Sequence, residues 1–457
     1  MSGPATGPVT EPLSRAQLAQ LGRTEGAEPT LAALAASQHT QRLLLLRVLL
    51  DALPAAPAPA AALAHEHAAL LESAERAAPA AARRVLFYPL TGTWAERCAR
   101  RLTTGGGQEA ARDLGHLGGL AAAAALRAGL DFRLRVDVGG GRLALPTLGA
   151  VSTGAPDGTP AELTARDGGL TLRLPDGPPL VIRPEPSGGW RSTDPRWLPL
   201  HTLGGGPRPV LLDDLDPSRP TPNQAGDGPP RHALRPAERA HWSGLWAAAL
   251  PLLRLGGAAR AAELTLLNCI VPLLHRGGGR AGHVSSTSAG AFGAVLASAP
   301  PSAALLAAGL THELQHAKLA AVQELNPLHH EGPRARHWAP WRPDPRPFDG
   351  LLHGAYAHLA LAGFWQQLAL GLADPAARDQ AWAAHCRAHT QVGAVLPTLR
   401  AARRLTDDGR LFVAAMADRH GQLGSPAPPE GHLVRARAYV ETARAGWLRQ
   451  HARGTVT

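Results

Sequence analysis

Apolar residues recur at helical spacing over most of this chain and at every second position over one short stretch. The helical pattern begins at residues 14–53, carried by Leu18, Leu21, Leu31, Leu34 and the leucines of 43–50, with Ser14 placed to cap it. The proline-rich residues 54–59 break it, and 60–76, 94–102 and 114–128 resume it. Residues 131–138 and 170–174 alternate with period two, and 180–183 is a short apolar run. They predict a small antiparallel β section over 130–205. Gly139-Gly-Gly141 reads as a hairpin turn in it, because no Lys-Ser/Thr and no helix follow as in a phosphate loop. Residues 206–235 are rich in Gly, Pro and Asp and read as a linker or long loop. Helical patterns return at 236–255, 261–274, 302–325, from 351 onward, at 373–403 and at 431–449, with a strand or two expected over 283–296. The expected fold is α+β and mainly helical. It has a disordered tail over 1–13, an N-terminal helical region over 14–129, the β section and loop, and a second helical region over 236–457.

Composition narrows the class. At 457 residues the chain is long enough for two or three domains. Its net charge of +10 would allow an acidic partner, but the arginines are scattered rather than gathered into a stripe with aromatics, so nucleic-acid binding is not expected. Lys318 is the only lysine. Cys98, Cys269 and Cys386 are far apart, odd in number and lack CxxC spacing, which argues for reduced structural thiols in the cytoplasm. Residues 1–15 lack the basic-then-apolar order of a signal peptide, and charge and proline interrupt every apolar run short of a membrane span. No membrane association is expected.

The candidate chemistry lies in the 302–325 helix. Ser302 can cap it, Pro327 stops it, and it carries His312-Glu313-Leu314-Gln315-His316. Histidines four apart stack on one helix face, so their imidazoles can take adjacent corners of one metal's coordination sphere, with Glu313 beside them as a possible base. Leu306, Leu310, Leu314, Ala317, Ala321 and Leu325 form an apolar stripe, and Leu305 and Leu319 lie on the histidine side, so the helix should be buried nearly all round. Two histidines on a buried helix need partners, and a metal is the simplest one.

A working metal needs a third protein ligand. The short metzincin spacing would put it at Val322, which excludes that class. Glu324 continues the same helix and is too close, whereas Glu331, in a Pro/Gly/His-rich loop, stays open as a third ligand. His353 is the favoured third ligand, near the start of the next helix with Asp349 as its N-cap; His358 lies one turn further on and stays open. Three histidines, or two and a carboxylate, suit iron(II) with open positions as well as zinc. His329, His330 and His337 read as loop histidines. Arg342 and Arg346 flank a rigid proline-rich turn and could hold a carboxylate, or could pair with Asp344 or Asp349. Ser285, Ser286 and Ser288 precede the helix in a β-prone segment, which could pair with a peptide as an edge strand or serve as a core strand.

Three stretches together resemble a known family. They are Thr311-His-Glu-Leu-Gln-His316, Trp341-Arg-Pro-Asp-Pro-Arg-Pro347, and Leu351-Leu-His-Gly-Ala-Tyr-Ala-His358 with Phe364-Trp365. Their order and spacing resemble the 2-oxoglutarate-dependent HExxH-type peptide β-hydroxylases associated with ribosomally made peptide natural products. The likeness covers about residues 280–370, and Tyr88-Pro-Leu-Thr-Gly-Thr-Trp94 is similar too. The resemblance implies a zincin-like helical catalytic region and a non-haem iron(II) enzyme that uses 2-oxoglutarate and O2. Its substrate would be the β-carbon of a residue in a precursor peptide. Carried over by position, it implies His312 and His316 as iron ligands with His353 as the third, and Arg342 or Arg346 on 2-oxoglutarate. The competing readings are a zinc metallopeptidase with Glu313 as general base, and a peptide-binding protein without catalysis.

Overall fold

The computed structural model describes residues 11–186, 188–204, 209–220, 233–273, 284–332 and 336–451. Most of the expected tail and much of the expected linker lie outside these residues. Helix takes 59% and strand 16%, so the chain is mainly helical α+β. Two compact units interleave along it: residues 1–38, 245–266 and 300–457 form one, and 39–244 and 267–299 the other. These units therefore do not follow the linear segments expected from composition. Among the described residues no helix is long and apolar enough to cross a membrane.

The unit of residues 39–244 and 267–299 holds all of the described β structure except one strand pair. The expected alternation is realised in an antiparallel sheet of Phe132–Asp137, Pro160–Arg166, Gly169–Arg173, Leu180–Pro184 and Trp190–Arg191, paired in that order. Leu134, Val136, Leu163, Leu170, Leu172 and Ile182 are buried, and they share a core with Trp94, Leu102 and the Ala-rich helix Gly107–Arg127. That helix can approach the neighbouring strand Arg142–Leu145 because a Cβ at Gly119 would meet the carbonyl oxygen of Ala144 at 2.1 Å.

A second sheet was not foreseen. Its strands run in the order Ser285–Ser286, Ala294–Ser298, Cys269–Leu273, Val210–Leu212, His201–Leu203, and the two pairs made by Cys269–Leu273 are parallel. The 261–274 helix expectation is corrected here. The helix Ala258–Glu263 and a short 3-10 turn end before Cys269, and Cys269–Leu273 is a strand buried at every position. A strand covered on both faces reads as an unbroken apolar run, which periodicity cannot tell from a buried helix.

The other unit is helical. The motif helix Ala303–Leu325 starts where the Ser302 side chain accepts from Leu305 N at 3.3 Å, and ends at Asn326 before Pro327. The helix Phe348–Gly371 packs against it, and Pro375–Arg400 packs against that helix in turn. Asp407–Gln422 and Glu430–His451 complete the layer; the first of these had no counterpart in the apolar pattern. The N-terminal segment is tied in by Leu13 N to Asn326 Oδ1 (2.8 Å) and by Tyr356 Oη to Leu21 O (2.7 Å). Leu306, Leu310, Leu314, Leu319 and Ala321 are buried as expected, whereas Leu305 is 39% exposed. The proline-rich turn is a strand, Arg342–Arg346, paired antiparallel with His337–Ala339. Asp349 lies within the first turn of its helix, which starts from Pro347 without a side-chain cap.

Candidate metal centre

Helical spacing on two packed helices brings four imidazoles together. The motif helix supplies His312 and His316, and Phe348–Gly371 supplies His353 and His358. The Nε2 atoms of His312 and His316 face each other at 3.1 Å. Nδ1 of His316 lies 3.4 Å from Nδ1 of His353. His358 meets His312 edge-on with ring centroids 5.2 Å apart, and its Nδ1 bonds to Gly354 O at 2.8 Å. The indole of Trp341 stacks on His358 at 4.5 Å. It reaches the helix because residue 354 is glycine: a Cβ there would meet the indole at 2.4 Å.

Burial keeps these rings uncharged at neutral pH. It pushes His316 down to about 3, helped by His353 and His358, and His358 down to about 4. Burial, with His316 and His358 beside it, holds His312 well below the ordinary imidazole range, and burial also lowers His353. Neutral imidazole is the ligating form.

The pair fits an ion. Two nitrogens each about 2.1 Å from one ion, at angles near 90–110°, stand roughly 3.0–3.4 Å apart. His312 Nδ1 is buried with no hydrogen-bond partner among the described residues, so the cluster is incomplete as it stands. It is not a finished cage: among the described residues no three His, Cys, Asp or Glu side chains form a group that could hold a metal. The residues present fit two protein donors of an open site.

The other expected residues fall as follows. Glu313 is 3% exposed on the motif helix. Arg342 Nε donates to Asp344 Oδ1 at 2.8 Å, and Arg346 Nη1 reaches Asp344 Oδ2 at 3.5 Å. Arg346 is the one whose charge is felt at His316. Glu331 is exposed. His329 Nε2 lies 3.2 Å from Asp349 Oδ1, and His337 stands edge-on to Phe348. Ser285 and Ser286 form an edge strand on Ala297 and Leu296, and Ser288 precedes a 3-10 turn; these serines belong to the other unit.

Two further groups shape the site, and Asp349, expected as an N-cap, belongs to the first. Gln323 and Asp349 join the cluster through His353; Gln323 is two turns beyond His316 and Asp349 one turn before His353, so helical spacing could have found both. The other group is the buried polar face of the motif helix. Lys318 is 0% exposed, and its Nζ donates to Glu263 Oε1 (2.5 Å) and Gln315 Oε1 (3.0 Å). Glu263 Oε2 also accepts from Gln315 Nε2 and is ion-paired with Arg260 Nη1, each at 3.1 Å. These contacts fix the rotation of the helix.

The upstream Tyr88–Trp94 motif is a knot of internal bonds. Tyr88 Oη donates to Asp213 Oδ2 (2.6 Å), Thr93 Oγ1 to Ser218 O (2.6 Å) and Trp94 Nε1 to Asp113 O (2.7 Å). No protein-family model matches the chain, and no curated protein matches it.

Proposed function

We propose that this chain is a non-haem iron(II), 2-oxoglutarate-dependent oxygenase that hydroxylates the β-carbon of a residue in a ribosomally made precursor peptide. The observation that carries the metal is the pair of facing Nε2 atoms, 3.1 Å apart, within a cluster of neutral imidazoles. The motif resemblance supplies the choice of iron, 2-oxo acid and peptide. We read the packed motif helix and its neighbour as a zincin-like arrangement, and the buried free thiols as suited to the cytoplasm.

His312 and His316 would hold the ion through Nε2. Among the described residues no third side chain completes the group, and of the two neighbouring imidazoles His358 is the one whose Nε2 keeps its lone pair. The N–H of His358 is committed to Gly354 O, which leaves the lone pair on Nε2, whereas both nitrogens of His353 already face side chains. Iron(II) with the 2-oxo acid and O2 supplies the oxidising power that breaks a C–H bond. Arg346, more loosely held by Asp344 than Arg342 is, would bind the far carboxylate of the cosubstrate. Trp341 braces His358 and limits water on that side of the cluster. Ser285 and Ser286 form the outer strand of their own sheet, an edge to which an extended peptide backbone could add.

The test is anaerobic purification, reconstitution with iron(II) and 2-oxoglutarate, and incubation in air with a panel of synthetic ribosomal-type precursor peptides. The expected result is a peptide heavier by one oxygen with matching succinate. Peptide cleavage supported by zinc alone overturns the reading in favour of a metallopeptidase that uses Glu313 as base.

A further inference from the structure

The side chains behind His316 form a line, with His329 beside its start at 3.2 Å from Asp349 Oδ1 and 3.4 Å from Gln323 Nε2. Asp349 Oδ1 accepts from Gln323 Nε2 at 2.8 Å. A carboxylate only accepts here, so the Gln323 amide is oriented with its oxygen toward His353, 2.8 Å from Nε2. That oxygen requires His353 to carry its proton on Nε2, which leaves the lone pair on Nδ1. His316 Nδ1, 3.4 Å away, must then be the protonated nitrogen, and the His316 lone pair is forced onto Nε2, the atom that faces His312. For neutral imidazoles beside an ionised carboxylate, each assignment follows from the one before it.

We infer that Asp349, Gln323 and His353 are positioning residues that set the tautomer and ring orientation of His316, and that His353 acts from outside the coordination sphere. The inference rests on the metal reading of His312 and His316 given above. It assigns the chain a carboxylate–amide–imidazole relay where metal-binding histidines are usually backed by one carboxylate or carbonyl. The 3.4 Å step is the weakest link and sets the size of the effect.

The test uses the full chain with Co(II) as probe, in wild type, Gln323→Met, Gln323→Glu, Asp349→Asn and His353→Phe. Affinity is read by chelator competition, coordination by the visible absorption of Co(II), and tautomers of the metal-free protein by long-range nitrogen–proton NMR. In wild type His316 should carry its proton on Nδ1 and His353 on Nε2. Gln323→Met and His353→Phe should each lower affinity about 10–100-fold at unchanged one-to-one stoichiometry and unchanged band pattern. Gln323→Met should also make His316 a mixture of tautomers, and Gln323→Glu, which keeps an acceptor for His353, should recover most of the affinity. Asp349→Asn should have the smallest effect, since the carboxylate is 51% exposed. Wild-type binding with unaltered affinity and tautomers in Gln323→Met overturns the relay and leaves the metal site standing. A changed band pattern in His353→Phe makes His353 a ligand and also overturns it. No Co(II) binding by wild type overturns the metal reading and the relay together.

Discussion

The same spacing occurs twice in the helical unit with opposite outcomes. His312 and His316 are four apart on the motif helix, and His385 and His389 are four apart on Pro375–Arg400. His420 joins the second pair, stacked on His389 with centroids 3.9 Å apart. Burial lowers the pKa in both groups, taking His385 and His420 down to about 4. The difference is where the N–H groups go. His385 Nδ1 donates to Ala362 O at 2.9 Å, and His389 and His420 each donate through Nε2 to the other's carbonyl at 3.0 Å. These rings staple helices together through backbone carbonyls. At His312 and His316 the nitrogens face one another and side chains, and one buried nitrogen has no partner among the described residues. A depressed imidazole pKa therefore marks burial; the destination of the protons separates a ligand pair from a staple.

The sharpest break of this comparison is metal affinity. His316→Ala should weaken Co(II) or iron(II) binding beyond the ~10–100-fold typical of a change behind a ligand. His385→Ala should leave affinity unchanged, and parallel titrations of the two variants check this. Next in size is the buried ion cluster behind the motif helix. Lys318→Met removes the Nζ bonds to Glu263 and Gln315 while Arg260 still neutralises Glu263, so it should destabilise the metal-free chain by about 1.5–3 kcal/mol in urea unfolding. His420→Phe keeps the stack but removes one hydrogen bond to a carbonyl that the helix already pairs, so it should cost about 0.5–1.5 kcal/mol with unchanged metal affinity.

The smallest expected effect is on pH dependence. The folded pKa values of His385 and His420 lie near 4 against 6.5 for the unfolded imidazole. Between those values the unfolded chain binds more protons, so stability is full above about pH 6.5 and falls as pH drops toward 4. His420→Phe should flatten that slope by at most about 1.4 kcal/mol per pH unit, read from melting temperatures across the window.

Much of the helical unit was legible in the chain. Ser302, Pro327 and the leucine stripe bound the motif helix closely, because caps and 3.6-residue spacing are local signals. The period-two stretches likewise became the antiparallel sheet. Cys269–Leu273 was misread because burial on both faces removes the alternation that announces a strand. The strand Arg342–Arg346 was hidden by its prolines, which an outer strand tolerates and a central one does not. In the candidate site, the spacing within His312–His316 and the choice of His353 and His358 as neighbours could be read from residue identity. Spacing puts Gln323 on the His316 face and Asp349 on the His353 face, but the bonds that join them could not be read, because they link two helices at separations of 26 to 30 residues.

Sequence alone determined which faces of which helices carry imidazoles, since a fixed rise and turn place residues i and i+4 together whatever surrounds them. Tertiary structure decided what each imidazole does. Packing of Phe348–Gly371 on the motif helix selected the atom each nitrogen meets, and so set the tautomers. Two pairs with identical spacing diverged because a hydrogen-bond partner is chosen by the neighbouring helix, which lies beyond the reach of any local pattern.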